Sequence, residues 1–264
     1  MKRVVAIGGG HGLATTLRAA STYADELTGI VSVADDGGSS GRLRDLTGLP
    51  AMGDIRRCLS ALADPTIPLS AVFEHRYDGH ALGNLMIAAM AQLDGSFTAA
   101  IRYFRDLLGV AADVLPATEV PVILVADTDA GAVRGQVAVK QSTGITGVAL
   151  DPAAPAATPG AVEAVAVADQ VVLGPGSLFT SVLAALAVPA IGAAVAAAPG
   201  HVVYVANLCP EAETSGLDEA GHLAALAAVG IEPDAVVAPH ARLAASGGRS
   251  HDVAALAAAL SDLA

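Results

Sequence analysis

Three short stretches of this sequence place glycine beside groups that can hold an anion. The first is Gly8-Gly9-Gly10-His11-Gly12. Glycines let a backbone approach a phosphate, and a helix that starts there presents unpaired N–H groups and the positive end of its dipole. The spacing is not a regular G-x-G-x-x-G, so a tight turn without ligand stays open. The second stretch is Asp35-Asp36 followed by Gly37-Gly38-Ser39-Ser40-Gly41-Arg42. A carboxylate placed after a second strand accepts two hydrogen bonds from the vicinal diol of a ribose. Asp35 and Asp36 together offer an alternative, a Mg²⁺ held against phosphate. Backbone amides around Gly38, the hydroxyls of Ser39 and Ser40, and the Arg42 guanidinium make an anion receptor. The third stretch is Gly174-Pro175-Gly176-Ser177, with Thr180 and Ser181 one helical turn later. It repeats the strand, glycine loop, helix order. Two such units from separate halves of a chain point to a nucleotide more strongly than either does alone.

Other polar residues are less specific. Asn207 ends an apolar run, where its amide can read a base or sugar edge. Asp54 is suited to cap a helix, and Arg56-Arg57 behind it can place one arginine in a site and the other in solvent. His80 and Asn84 flank a glycine turn, and His80 is a candidate general base with no partner visible in the sequence. Neither a Ser/His/Asp pattern nor G-x-S-x-G surrounds Ser39, Ser177 or Cys58, which argues against a nucleophile. The seven histidines show no zinc spacing, and Cys58 and Cys209 read as free thiols.

The elements that must position these residues alternate in type. Val4–Ile7, Ile30–Val33, Val120–Val125, Val171–Leu173, Val202–Ala206 and Ala235–Val237 are short apolar runs expected to be strands. Leu13–Ala20, Asp54–Ala63, a segment opening near Asn84, Phe97–Leu108, Ala220–Val229 and Val253–Leu260 are expected to be helices. Ala132–Val139 alternates and suggests the second arm of a hairpin. The pattern predicts an α/β fold, a doubly wound and mostly parallel sheet with helices on both faces and right-handed crossovers. With no repeat or linker visible, residues 1–264 are expected to form one domain.

Composition narrows the function. The chain is 53% hydrophobic but only 3% aromatic, with no Trp, so its core must be built from Val, Leu, Ile and Ala. A net charge of −12 repels nucleic-acid backbone and gives no steering toward an anionic membrane. Val4–Ile7 is too short for a signal h-region. Val182–Ala198 could be mistaken for a span, but Pro189 and Gly192 predict helix, turn, helix instead. A soluble, cytoplasmic protein without membrane insertion or nucleic-acid binding is expected.

Ile7–Leu17, Val33–Leu43, Gly53–Leu62, Gly79–Ala88, Leu115–Thr118 and Val172–Ser181 resemble, in order and across most of the chain, the YvcK-type gluconeogenesis factors of the CofD-like superfamily. The run Ala34–Arg44 followed by Gly53–Leu59 carries most of that likeness. The resemblance implies a Rossmann-like fold and binding of UDP-sugars, notably UDP-N-acetylglucosamine. It also implies a regulatory link from carbon metabolism to cell-wall synthesis and cell shape, without turnover and with no cofactor required. CofD enzymes of the same superfamily instead transfer a phospholactyl group from a guanosine diphosphate derivative to a deazaflavin with Mg²⁺. That is the alternative implied. Carried onto this chain, the ligand residues are Gly9, Gly10, His11, Gly12, Asp35, Asp36, Gly38, Ser39, Ser40, Arg42, Asp54, Asn84, Gly174, Gly176, Ser177, Asn207 and Arg249. A homodimer and a regulatory protein partner remain open. The chain departs from the family at His11, usually Thr, and after Leu208. There Cys209-Pro210-Glu211 and Ala212-Glu213-Thr214 replace Met-Thr-Gln and Gly-Glu-Thr.

Overall fold

Val4 to Ile7, four successive apolar residues without a polar face, can only satisfy both sides of a strand in the middle of a covered sheet. The computed structural model, which describes residues 1–246, 248 and 250–264, puts them there. In chain order the first half runs β1 (Arg3–Gly8), α1 (Gly10–Ala20), β2 (Glu26–Val31), α2 (Gly38–Thr47), α3 (Gly53–Leu62) and α4 (Pro68–Glu74). A small hairpin, β3 (Arg76–Tyr77) and β4 (His80–Ala81), leads to α5 (Leu82–Asp94), α6 (Phe97–Leu107) and β5 (Asp113–Pro116). Next come β6 (Ile123–Thr128), β7 (Gly131–Arg134), α7 (Gln136–Gln141), β8 (Ile145–Asp151), α8 (Ala161–Ala166) and β9 (Gln170–Leu173). A π-helical segment, Leu178–Leu183, continues as α9 (Ala184–Leu186). It is followed by α10 (Pro189–Ala196), β10 (His201–Val205), α11 (Glu219–Ala227), β11 (Ala235–Val237) and α12 (Val253–Ser261).

Six strands form the main sheet in the order β11-β10-β9-β1-β2-β5, and all neighbours are parallel. The chain moves outward from β1 to β2 and β5, then returns to β9 on the other side of β1 and moves outward again. Right-handed crossovers in opposite directions place their helices on opposite faces. α1 packs with α3 and α12, and α8 packs with α10. The reversal between β1 and β9 is a topological switch point, where a crevice opens beyond the strand ends. A separate antiparallel sheet, β7-β6-β8, sits between β5 and α8 in the chain.

Several boundaries differ from expectation. The second strand ends at Val31, and Gly38–Ser40 form the first turn of α2 rather than a loop. β6 and β7 do make the expected hairpin, but Gln136–Gln141 then turns helical. Val139 is buried on that helix, so its apolar spacing serves helix and strand equally. Asp54 lies inside the first turn of α3, behind Met52 at the cap position. Among the described residues no single helix is long and apolar enough to cross a membrane. Leu178–Leu186 and Pro189–Ala196 reach that composition only as a pair, and they are bent by 88° at Pro189 as the proline predicts.

Candidate functional site

The first glycine loop follows β1 and opens α1. Gly9 occupies the cap position with no side chain to satisfy the helix, so the first amides rely on other partners. One is supplied: Asp54 Oδ2 accepts from the Gly10 N–H at 2.6 Å. Asp54 also pairs with Arg57, one helical turn along α3. Gly10 needs its left-handed φ of 64° for the turn. Gly12 is there for closeness, because a Cβ would overlap the carbonyl of Pro175 in the third stretch. His11 lies at the mouth of this turn. Burial is the main cause holding its imidazole below the ordinary range, and Arg57 adds to it.

Asp35 faces the same space from the end of β2. Its Oδ1 accepts from Gly37 N–H at 3.0 Å. Burial raises its carboxyl above the usual range, the Gly37 amide and the Ser40 hydroxyl pull it back, and Asp54 and Asp36 push it up again. Asp36 points elsewhere. Its Oδ1 accepts from Val137 N–H at 2.9 Å and so holds the first turn of α7. The two carboxylates diverge, and among the described residues no cluster of three or more His, Cys, Asp or Glu converges to hold a metal. The adjacent pair therefore does not present a joint set of oxygens for Mg²⁺.

The rest of the second stretch turns inward. Ser39 Oγ lies 3.0 Å from His80 Nδ1 and accepts from Asn84 Nδ2 at 3.0 Å. That supplies His80 with the partner invisible in the sequence, but the trio joins α2, β4 and α5 away from the crevice. Ser40 is buried, Gly38 opens α2, and Arg42 donates to the Asp78 carbonyl on the hairpin. None of Asp36, Gly38, Ser39, Ser40, Arg42 or Asn84 lines the crevice: α2 has wound up Gly38 to Arg42, the loop expected to cradle an anion, Asp36 is turned to Val137, and Asn84 on α5 is turned to Ser39.

The third stretch meets the first across the switch point. Gly174 hands its carbonyl to Thr16 Oγ1 at 2.9 Å and supports the turn from behind. Gly176 is held on both sides by Asn207, whose Oδ1 accepts from Gly176 N–H at 2.8 Å and whose Nδ2 donates to Gly176 O at 2.9 Å. Two carboxylates complete this end. Glu211 accepts from Ser177 Oγ at 3.1 Å and from Asn207 Nδ2 at 2.9 Å. Glu213, 2% exposed, accepts from Phe179 N–H at 3.0 Å in the first turn of the π-helical segment. Burial is the main cause raising the Glu213 carboxyl above its ordinary range.

Together these walls enclose a cleft of about 540 Å³ beyond the strand ends. Of the residues expected there, it gathers Gly9, Gly10, His11, Gly12, Asp35, Asp54, Gly176, Ser177 and Asn207. Arg249 lies outside the described residues. The cleft also takes residues that spacing does not flag: Lys140 and Gln136 from α7, Glu211, and His251 from the far end of the chain. His251 is 7% exposed, and its Nε2 has no partner among the described residues. Of the two arginines, Arg57 lines the cleft. Arg56 is not in solvent but buried in a pair with Glu74.

Comparison with known proteins bears on the family and the fold. The profile of the family described as 2-phospho-L-lactate transferase CofD matches residues 4–252. A gluconeogenesis factor from Halalkalibacterium halodurans is 39% identical over 248 residues, 89% of this chain and 77% of the relative. One from Bacillus subtilis is 39% identical over 233 residues, 85% of this chain and 74% of the relative. The chain spans about half the length of the Nostoc and Deinococcus radiodurans relatives that it matches, 51% and 54%. The crystal structure of a UPF0052-family protein from Bacillus halodurans superposes with a TM-score of 0.91, covering 98% of both chains at 32% identity. This chain belongs to the CofD family, among its gluconeogenesis factors.

Proposed function

We propose that the protein is a cytoplasmic receptor for a nucleoside diphosphate sugar, UDP-N-acetylglucosamine by preference, and that it binds without turning over its ligand. One observation carries this: the open first turn of α1 at the centre of the cleft. The amides of His11 and Gly12 have no intrahelical acceptor there, and Arg57 and Lys140 line the same space. Backbone donors and two cations offer a diphosphate local partners on a chain of net charge −12. Asp35 on the β2 side suits a ribose diol, and the volume lies in the range of ligand pockets. The uracil preference, and an output from carbon metabolism to cell-wall synthesis and cell shape through a protein partner, are inherited from the resemblance.

The test is thermal shift and calorimetry with UDP-N-acetylglucosamine, a GDP-based diester and ADP-glucose, with and without Mg²⁺. A ligand that binds only the folded state raises Tm by mass action. UDP-N-acetylglucosamine is expected to give the largest shift, with no need of Mg²⁺. A shift with the GDP compound alone, dependent on Mg²⁺, moves the assignment to phospholactyl transfer.

A further inference from the structure

We propose that Glu211 makes the β10 end of the cleft select a neutral, hydroxyl-bearing sugar and reject a sugar that carries a carboxylate. This rests on the nucleotide-sugar assignment above and adds the residue that discriminates among sugars by their charge. The main-sheet order sets out the cleft as Asp35 after β2, the open turn after β1, the Gly174–Ser177 loop after β9, and Asn207 to Glu211 after β10. Strands lie about 4.8 Å apart, so the β10 end is roughly 10 Å from the open turn. A diphosphate seated on α1 with its sugar ester directed past β9 carries the ring and its outer hydroxyls toward this end.

The groups at that end are hydroxyl-reading groups. Glu211 is acceptor-only and locked, since Ser177 and Asn207 each hold one of its oxygens and Asn207 is itself fixed by Gly176. Each carboxylate oxygen keeps a further lone pair for a ligand hydroxyl. His251 shares this wall with a buried Nε2 that has no partner among the described residues, and burial, the main cause, holds its imidazole below the ordinary range. Among the described residues the cations of the cleft are Arg57 on α3, which is engaged by Asp54, and Lys140 on α7, the helix that packs against Ala212–Thr214; the long Lys140 side chain is exposed and is not locked as Glu211 is. Glu213 adds a second carboxyl behind the wall. A sugar hydroxyl finds charge-assisted acceptors here, whereas an anionic sugar meets a fixed like charge that cannot swing away.

The experiment measures Kd by calorimetry for UDP-glucose and UDP-glucuronate, with the full chain and with Glu211→Gln. The wild type is expected to favour UDP-glucose by about tenfold or more, and Glu211→Gln is expected to bring the two within about twofold. Equal affinities in the wild type overturn the proposal, and that arm needs no variant to fold. A preference that survives in a folded Glu211→Gln also overturns it. If both UDP-sugars and UDP itself fail to bind, the nucleotide-sugar assignment falls as well.

Discussion

The two glycine loops at the switch point look alike in sequence and differ in electrostatics. Each follows a buried parallel strand, opens a helix, and has one amide pinned by a side chain: Gly10 by Asp54, Gly176 by Asn207. Beyond that they diverge. At the first loop the pinning carboxylate is balanced by Arg57, and the next amides of α1 face the cleft. At the second, Ser177 and Phe179 already donate to Glu211 and Glu213. An anion arriving there meets carboxylates instead of donors. A strand, glycine loop and helix therefore suit an anion only where the acids that reach the loop from other segments are balanced by a cation and leave further amides open.

Three substitutions press on this contrast. The largest effect is expected from Gly12→Ala, where the new Cβ runs into the Pro175 carbonyl and the two loops must separate. Backbone cannot yield as a side-chain tip does. A loss of about 3 kcal/mol in denaturant unfolding is expected, together with loss of nucleotide-sugar binding. A variant as stable as the wild type would mean the loops do not touch. A smaller effect, opposite in sign, is expected from Asp54→Asn. The amide oxygen still accepts from Gly10, but Arg57 is released and a negative charge leaves the first loop. UDP affinity should rise about threefold in calorimetry, with stability changed by less than about 1 kcal/mol. Weaker binding would show that Asp54 touches the ligand through its charge.

The smallest effect belongs to Glu213→Gln at the second loop. The folded chain ionises this carboxyl at a higher pH than the unfolded chain, so between the two it holds an extra proton. Stability contributed by the neutral form is lost as pH rises through that window. Gln keeps an acceptor for Phe179 and cannot ionise. The variant should have the higher Tm at neutral pH, and its advantage should vanish below the ordinary carboxylate range. A lower Tm at neutral pH would mean that the charged form is the one that holds the π-helical turn.

Much of the framework is legible in the chain because buried parallel strands are short apolar runs whatever their neighbours. Val171–Leu173 and Ala235–Val237 need no tertiary information. The glycines are legible for the same reason: a tight turn and a close backbone approach exclude a Cβ locally. What fails is anything decided by a distant partner. Asp35 and Asp36 are neighbours of one type, and only the amide of Val137 explains why the second leaves the cleft. Ser39 and Ser40 read as a phosphate cradle until α2 winds them in. Lys140 hides in a segment whose apolar spacing suits strand or helix. Glu211 and His251 reach the cleft from loops whose placement no local pattern records.

The position of β1 has a consequence during synthesis. This strand leaves the ribosome well before β9, and Val4 finds its partner Gln170 only once β9 has emerged. At 5–20 residues per second that wait lasts roughly 10–30 s. For that time the edge of β1 that will pair with β9 stands open and offers unpaired N–H and C=O groups to any other nascent strand. The switch point that gives the folded protein its cleft is thus, in the cell, a seam that must be guarded until β9 has been made.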